Sequence, residues 1–196
     1  MSILSREAIE KMGFTSIGKN IHISNRASFY NTAKIALGNN VRIDDFCVLS
    51  AGVGGINIKD HVHLSVGCLL IGAGKITISD FCGLSSHVSI YSSTDDYSGT
   101  TMTNPNIPSQ YRNVINADVF LEKHVIIGSG SVILPGITIA TGVAVGALSL
   151  IKKDCEAFGI YAGNPARRIK ERKRDLLELE QQFLASTFYC KNHEIP

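Results

Sequence analysis

The sequence places ionisable side chains on both sides of one polar segment, residues 96–120. His87 lies eight residues before Asp95, which precedes this segment, and His124 lies shortly after its end. Imidazole titrates near neutral pH, so a positioned histidine can remove a proton from an attacking nucleophile. Either histidine is therefore a candidate general base, and Asp95 or Asp96 could orient the imidazole or hold an acceptor. The same aspartates could instead start a turn, because the stretch Ser-Thr-Asp-Asp-Tyr-Ser-Gly has local turn chemistry.

These side chains belong to a sequence with a period of six. Aliphatic residues recur at intervals of six, which matches neither the 3.6-residue period of a helix nor the 2-residue period of an ordinary strand. Such a hexapeptide repeat predicts one short strand per hexad, three hexads per triangular coil, and stacked coils that bury a continuous aliphatic column. The sequence therefore predicts an all-β fold, a parallel β-helix. The repeat positions are Leu37, Ile43, Leu49, Ile58, Leu64, Leu70, Ile78, Leu84, Ile90, Leu121, Ile127, Ile133, Ile139, Val145 and Ile151.

Departures from the period all fall after a third hexad, at one corner of the predicted prism. Residues 55–57 and 76–77 are short insertions there, and residues 96–120 form a long one. The long insertion must leave the prism as an ejected loop. A loop of this length in a compact domain is typically functional or disordered, and its position beside the candidate base favours function.

Metal and thiol chemistry are weaker interpretations. The corner histidines His61 and His124 stand in first hexads and His87 in a second, so the three do not share a face, and the pair His61 and His63 is a weak metal motif. No metal is expected. The five cysteines include no CxxC pair, so neither a disulfide framework nor a zinc pattern is indicated. Three of them occupy the small-residue slot four positions after a repeat aliphatic and are predicted to be buried: Cys47, Cys68 and Cys82.

The two ends of the chain depart from the repeat. Residues 5–12 predict a short N-terminal helix with Ser5 as its cap, and residues 13–36 an irregular first coil. Residues 167–186 predict a C-terminal helix from charged residues followed by leucines at helical spacing. We expect a single domain over residues 1–196, made of an entry segment (1–36), the β-helix with its loop (37–156) and a C-terminal turn and helix (157–196).

Composition excludes several partners. The 196 residues carry a formal net charge of +2, too small and too evenly mixed to indicate nucleic acid or an anionic membrane. The longest apolar run falls far short of the roughly 18 residues that a membrane span needs, so no membrane insertion is expected. The N-terminal residues lack the basic and apolar regions of a signal peptide, so a cytoplasmic location is expected.

Two motifs near the C-terminus give the repeat a family resemblance. They are Ala-Leu-Ser-Leu-Ile-Lys-Lys-Asp at 147–154 and Tyr-Ala-Gly-Asn-Pro-Ala-Arg at 161–167. Together with the hexads and the ejected loop, they resemble the left-handed β-helix acyltransferases, in the branch of sugar and xenobiotic O-acetyltransferases. The resemblance implies left-handed coils, a homotrimer, acetyl-coenzyme A as donor, and active sites in grooves between neighbouring prisms.

The resemblance also implies a coenzyme A wall along the last coils. Ser129 matches a small polar residue beside the pantetheine arm, and Gly146 and Ala147 match a small pair whose backbone approaches that arm. Basic positions near the adenosine phosphates are matched by Lys152, Lys153, Arg167, Arg168 and Lys170.

The catalytic position departs from the galactoside-type enzymes of this family. Where those enzymes have a histidine at the loop root, this sequence has Asp95, and two of their sugar contacts correspond to Ser65 and Ala73. Galactoside specificity is therefore not expected. The residues expected to contact the acceptor are Ser65, Asp96 and Tyr97.

The expected function is direct acetyl transfer from acetyl-coenzyme A to a hydroxyl or amino group of a sugar or nucleotide-linked sugar. The expected pathway is surface polysaccharide biosynthesis. Loss of the usual histidine favours an amine, because a neutral amine attacks without a strong base. The alternatives are a small-molecule or xenobiotic acetyltransferase, a γ-class carbonic anhydrase-like protein, and a non-catalytic β-helix subunit.

Overall fold

The computed structural model of the protein describes residues 2–191, which form a parallel β-helix of about seven coils flanked by two helices. Helix α1 spans Arg6–Lys11, and the hydroxyl of Ser5 accepts a hydrogen bond from the Ala8 N–H at 3.2 Å, as the N-cap prediction requires. Helix α2 spans Leu176–Lys191. Within residues 2–191, neither helix is long and apolar enough to cross a membrane.

The strands follow one another coil by coil and are two to six residues long. In chain order they are β1 (Ser16–Ile17), β2 (His22–Ile23), β3 (Ser28–Tyr30), β4 (Ile35–Leu37), β5 (Arg42–Ile43), β6 (Val48–Ala51), β7 (Ile56–Ile58), β8 (His63–Leu64), β9 (Leu69–Gly72), β10 (Ile76–Ile78), β11 (Gly83–Leu84), β12 (Ser89–Tyr91), β13 (Ser93–Thr94), β14 (Ile115–Asn116), β15 (Val119–Leu121), β16 (Ile126–Ile127), β17 (Val132–Ile133), β18 (Thr138–Ile139), β19 (Ala144–Val145), β20 (Leu150–Ile151), β21 (Gly159–Gly163) and β22 (Ala166–Glu171).

Three sheets form the faces of the prism, and their strands are parallel except for the last pair of the second sheet. The first sheet has the order β1-β4-β7-β10-β15-β18, the second β2-β5-β8-β11-β16-β19-β21-β22, and the third β20-β17-β12-β9-β6-β3. Corner one joins the first sheet to the second, corner two joins the second to the third, and corner three joins the third sheet to the next coil. The hexapeptide β-helix predicted from the sequence is confirmed.

The core is the predicted aliphatic column. Repeat positions stack in register from coil to coil, as where Ile58 pairs with Ile78 and Ile78 with Leu121. The three cysteines of the small-residue slot are buried among them, which confirms that prediction: Cys47, Cys68 and Cys82. Neighbouring coils therefore stabilise each other through dry aliphatic contacts and a ladder of backbone hydrogen bonds.

At corners one and two, most coils carry one residue in the left-handed backbone conformation, three positions after the inward-facing repeat residue. At corner one this column reads Asn20, Asn40, His61, Phe81, His124, Gly142 and Phe158, and at corner two Phe46, Gly67, His87, Gly130 and Leu148. Asparagine and glycine suit this conformation, whereas Phe and Leu adopt it at a steric cost. The coil stacking therefore imposes these backbone angles.

The insertion leaves the prism at corner three, as predicted. Its root is a two-stranded antiparallel ribbon in which β13 pairs with β14. Val119 and Phe120 belong to β15 of the next coil, so the ejected segment ends at residue 118, two residues earlier than the period indicated.

Two expectations for the ends need correction. Residues 13–36 were expected to form an irregular coil, but Ser16 and Ile17 pair with Ala36 and Leu37, and this coil stacks like the others. The C-terminal helix was expected from residue 167, but residues 166–171 form β22, which pairs antiparallel with β21. This hairpin satisfies the backbone groups at the open end of the second sheet, so the helix begins only at Leu176.

Candidate functional site

His87 stands at corner two, in the turn between β11 and β12. Its backbone is left-handed (φ +61°), its N–H donates to the Val66 carbonyl at 2.9 Å, and its side chain is exposed. The imidazole lies directly over Gly67 of the preceding coil, where a Cβ would come within 2.5 Å of Nδ1. A glycine beneath the ring thus leaves it the room to stand at the prism edge.

The predicted pantetheine wall continues this edge on the next two coils. Ser129 and Ala147 are exposed, and neither backbone N–H has a hydrogen-bond partner among residues 2–191. Gly146 differs, because its N–H donates to the Tyr161 carbonyl at 2.8 Å and its own carbonyl accepts the Ser149 hydroxyl at 2.7 Å. Along this surface, the backbone N–H groups of Ser129 and Ala147 are therefore available to a ligand. Both backbone groups of Gly146 are instead hydrogen-bonded within the prism.

Asp95 and Tyr97 lie at the root of the ejected loop, beyond the end of β13. Both border a cavity of about 610 Å³ formed by the loop itself. Both also border a cavity of about 290 Å³ against the outer side of the third sheet, where Tyr91 and Leu134 complete the wall. A carboxylate placed between two cavities can contact a polar ligand group in either.

The carboxylate of Asp96 forms hydrogen bonds within the loop itself. One carboxylate oxygen accepts the Ser98 N–H at 2.8 Å, and the other accepts the hydroxyls of Thr100 and Thr101 at 2.7 and 3.0 Å. These hydrogen bonds, with Ser98 the largest contributor, hold the pKa of Asp96 well below its usual range. Its turn-forming role, one of the two interpretations of the sequence, is thus realised.

The predicted phosphate cations form a hollow of about 350 Å³ at the C-terminal end of the prism. Lys152 and Lys153, which follow β20, face Arg167 and Arg168 of β22 across it. Lys170 does not line this hollow. It lies further along β22, beyond the β-bulge that separates it from Arg168.

His124 does not share an edge with His87. It stands at corner one, stacked on the Phe81 ring at 5.1 Å, and its Nε2 lies 2.7 Å from Glu180 Oε2 of helix α2. The two histidines named as candidate bases therefore lie at different corners of the prism, and only His87 shares an edge with Ser129 and Ala147. The sequence did not reveal this contact, since nothing in the period shows where α2 lies.

Ser65 shares corner two with His87 but is remote from the loop residues. Its N–H donates to the Leu84 carbonyl at 2.9 Å, which places it one coil below Ser85. Within one chain it does not meet Asp96 or Tyr97.

The candidate residues thus occupy both edges of the third sheet. His87, Ser129 and Ala147 lie at corner two, whereas Asp95 and Lys152 lie on the corner-three side. Strand β12 alone spans about 10 Å between His87 and Asp95. One chain therefore presents two half-sites.

Among residues 2–186, two buried thiols are held in the protonated form. Burial raises the pKa of Cys82 to about 12 and that of Cys155 to about 11, so both thiols stay protonated. In the same part of the chain, no group of three or more His, Cys, Asp or Glu side chains could hold a metal ion.

Similarity to a characterised relative shows the family of this chain, although no protein-family model matches it. A dTDP-4-amino-4,6-dideoxy-D-glucose acyltransferase from Escherichia coli is 53% identical over 186 residues, covering 95% of this chain and 97% of the relative. The chain belongs to the hexapeptide-repeat acyltransferases. This confirms the resemblance carried by the two C-terminal motifs.

Solved structures agree with this membership. The N-acyltransferase AntD from Bacillus cereus, in complex with dTDP and 3-hydroxybutyryl-coenzyme A, is 46% identical with a TM-score of 0.91, covering 95% of this chain and 98% of AntD. A maltose O-acetyltransferase from Clostridium difficile is 26% identical with a TM-score of 0.59, covering 86% of this chain and 75% of that enzyme.

The Glu180 contact predicts an acid-sensitive attachment of helix α2. Hydrogen bonds, mainly from Lys123 at 2.8 Å and also from His124, lower the pKa of Glu180. The contact therefore stabilises the fold above the unfolded carboxyl pKa of about 4.3 and loses this effect as the pH falls through the lower folded pKa.

We expect Glu180→Gln to lower the free energy of unfolding by about 1–2 kcal/mol at pH 7. In this variant the free energy of unfolding should also fall less steeply as the pH is lowered. Urea unfolding between pH 3 and 7 measures both. Glu178→Gln is the control, and equal behaviour of the two variants would contradict the contact.

Proposed function

We propose that this protein transfers an acyl group from acyl-coenzyme A to the amino group of a dTDP-linked 4-amino-4,6-dideoxy sugar. The observation that carries the proposal is the Asp95 carboxylate at the loop root, between two cavities, where it can hold an amino group. The named activity of the 53% identical Escherichia coli enzyme supports the same acceptor. An AntD variant in complex with dTDP-4-amino-4,6-dideoxyglucose and coenzyme A, at 46% identity, supports both substrates.

The reaction is a direct transfer. The neutral amine attacks the thioester carbonyl carbon, a C–N bond forms, the C–S bond breaks, and coenzyme A leaves as the thiol after gaining the proton that the nitrogen loses. In our proposal His87 carries that proton, because its imidazole is exposed at a prism edge. Asp95 orients the amine, and the free N–H groups at Ser129 and Ala147 bind the donor's pantetheine arm.

Two structures of AntD variants indicate a further residue of the proposed site, a serine. AntD has been crystallised with a serine and an aspartate replaced ten residues apart. Ser85 and Asp95 have the same separation here, and Ser85 lies two residues before His87 at corner two. We infer that the Ser85 hydroxyl lies beside the reacting amine. The sequence alone did not single out this residue.

The two half-sites require neighbouring copies, and we propose a homotrimer. The outer face of the third sheet is apolar, with partly exposed Val48, Leu69, Ile71, Tyr91, Val132, Leu134 and Leu150. The outer face of the first sheet instead carries mostly small and polar residues such as Asn57, Thr77 and Thr138, together with the exposed Phe120. Packing third sheets around a rotation axis would bury the apolar face and bring corner two of one copy against corner three of the next.

The first test is turnover of dTDP-4-amino-4,6-dideoxyglucose with acetyl-coenzyme A, followed by thiol release. We expect His87→Ala to lower turnover about 10²- to 10⁴-fold with coenzyme A affinity nearly unchanged, because a lost base affects the chemical step. His124→Ala is the matched control and should keep near-normal turnover. No thiol release by the unmodified protein would reject the function, whereas full turnover of His87→Ala would reject only the base.

A mixing experiment tests the shared site. Chains carrying His87→Ala and chains carrying Asp95→Ala should each be nearly inactive in isolation. When they are co-expressed, random assembly gives about a quarter of the inter-subunit sites both native residues, so about a quarter of the activity should return. Sites built within one chain would recover nothing, and that result would exclude the proposed arrangement.

The cation hollow gives a binding prediction. Lys152→Ala combined with Arg167→Ala should weaken coenzyme A binding roughly 10- to 100-fold, since each phosphate contact is a charge-assisted hydrogen bond. Dephospho-coenzyme A, which lacks the 3′-phosphate, should lose less. Lys170→Ala, outside the hollow, is the control. Calorimetry measures all three proteins, and equal losses for both ligands would place the 3′-phosphate elsewhere.

A further inference from the structure

Arg112 of the ejected loop has no role in the functions described so far. It follows a short 3₁₀ turn at Ser109–Tyr111, and its backbone forms a bridge with Met102 on the opposite side of the loop. Its side chain is partly buried, and Nε is fully enclosed without a hydrogen-bond partner among residues 2–191. A buried guanidinium nitrogen without an acceptor is costly, so this arginine is suited to an anion from outside the loop.

The loop's own acids do not neutralise this charge. Both oxygens of Asp96 accept hydrogen bonds from Ser98, Thr100 and Thr101. Asp118 accepts the Lys75 N–H at 2.8 Å, at the base of the loop. Across residues 2–191, the guanidinium of Arg112 forms no ion pair within 4.0 Å. The positive charge on the loop therefore stays unpaired in the isolated chain.

Two cavities of the loop lie beside Arg112 and are lined by its neighbours, although Arg112 itself lines neither. Its bridge partner Met102 lines the cavity of about 610 Å³ that also contains Asp95. Met102 and Tyr111 line an adjoining cavity of about 420 Å³ on the other side of the loop. Arg112 is thus attached to the backbone wall between the two cavities. Its planar guanidinium can form paired hydrogen bonds with two phosphate oxygens.

We propose that Arg112 is a specificity-determining residue that binds the diphosphate of the nucleotide-linked acceptor. This inference rests on the proposed function and extends it, because it names the residue that distinguishes a nucleotide-linked sugar from a free amino sugar. The charges of the loop match such an acceptor: the Asp95 carboxylate suits the amino group, and the Arg112 guanidinium suits the diphosphate. One loop then contacts both the amino group of the sugar and the diphosphate that links it to the nucleoside.

The test uses Arg112→Met and Arg112→Lys in the full-length protein with dTDP as the probe, measured by calorimetry in the presence of coenzyme A. Arg112→Met removes the charge at similar length and should weaken dTDP binding roughly 10- to 100-fold. Arg112→Lys keeps the charge without the paired geometry and should lose less. Coenzyme A affinity should be unchanged in both. Arg6→Met, in the N-terminal helix, is the control and should bind dTDP normally.

Thermal unfolding without ligand separates binding from a structural role. Because Nε has no acceptor within the chain, Arg112→Met should unfold at the same temperature as the unmodified protein or at a higher one. A marked fall in that temperature, or loss of the oligomer, would assign Arg112 to structure and overturn the proposal. Normal dTDP binding by Arg112→Met would overturn it as well. If the unmodified protein itself failed to bind dTDP, the proposed function would fall instead.

Discussion

The fold depends on one backbone constraint, a left-handed residue at corners one and two of the coils. Three positions after each repeat aliphatic, the chain must turn within a few residues so that the next strand can pair with the coil below. Glycine and asparagine meet this requirement cheaply, but the column also holds His61, Phe81 and Leu148. The ladder of parallel strands and the aliphatic column hold these residues in place, so the side chains at the corners point away from the core and form ordered columns.

These columns explain the chemistry available at the surface. At corner two, the imidazole of His87 lies over Gly67, and Leu148 covers Gly130 in the same way two coils further on. At corner one, the rings of His61, Phe81 and His124 stack at 4.9 and 5.1 Å, and helix α2 packs on them through Glu180. The same corner position thus presents an exposed side chain on one edge and attaches a helix on another.

The prism and the loop differ in how much change of sequence and length they tolerate, and this difference explains their different roles. A stacked coil tolerates little change, because each residue is constrained by the coils on both sides. The loop leaves through corner three, where insertions do not disturb the pairing, and there it forms its own hydrogen bonds around Asp96. We infer that the prism supplies the donor wall and the base, whereas the loop supplies the recognition of the acceptor.

The sequence by itself determined the hexapeptide β-helix, its inward-facing repeat positions, the buried cysteines, the ejected loop and the acyltransferase resemblance. It could do so because the period of six records which side chains point inward, and that is a local property of the chain. The period carries no information on contacts between distant segments. The tertiary structure alone decided that α2 returns to His124, that residues 166–171 close the second sheet as a strand, and that Lys170 lies outside the cation hollow. It also separated His87 and Asp95 onto opposite edges of one sheet, because a strand between two corners holds its flanking residues apart.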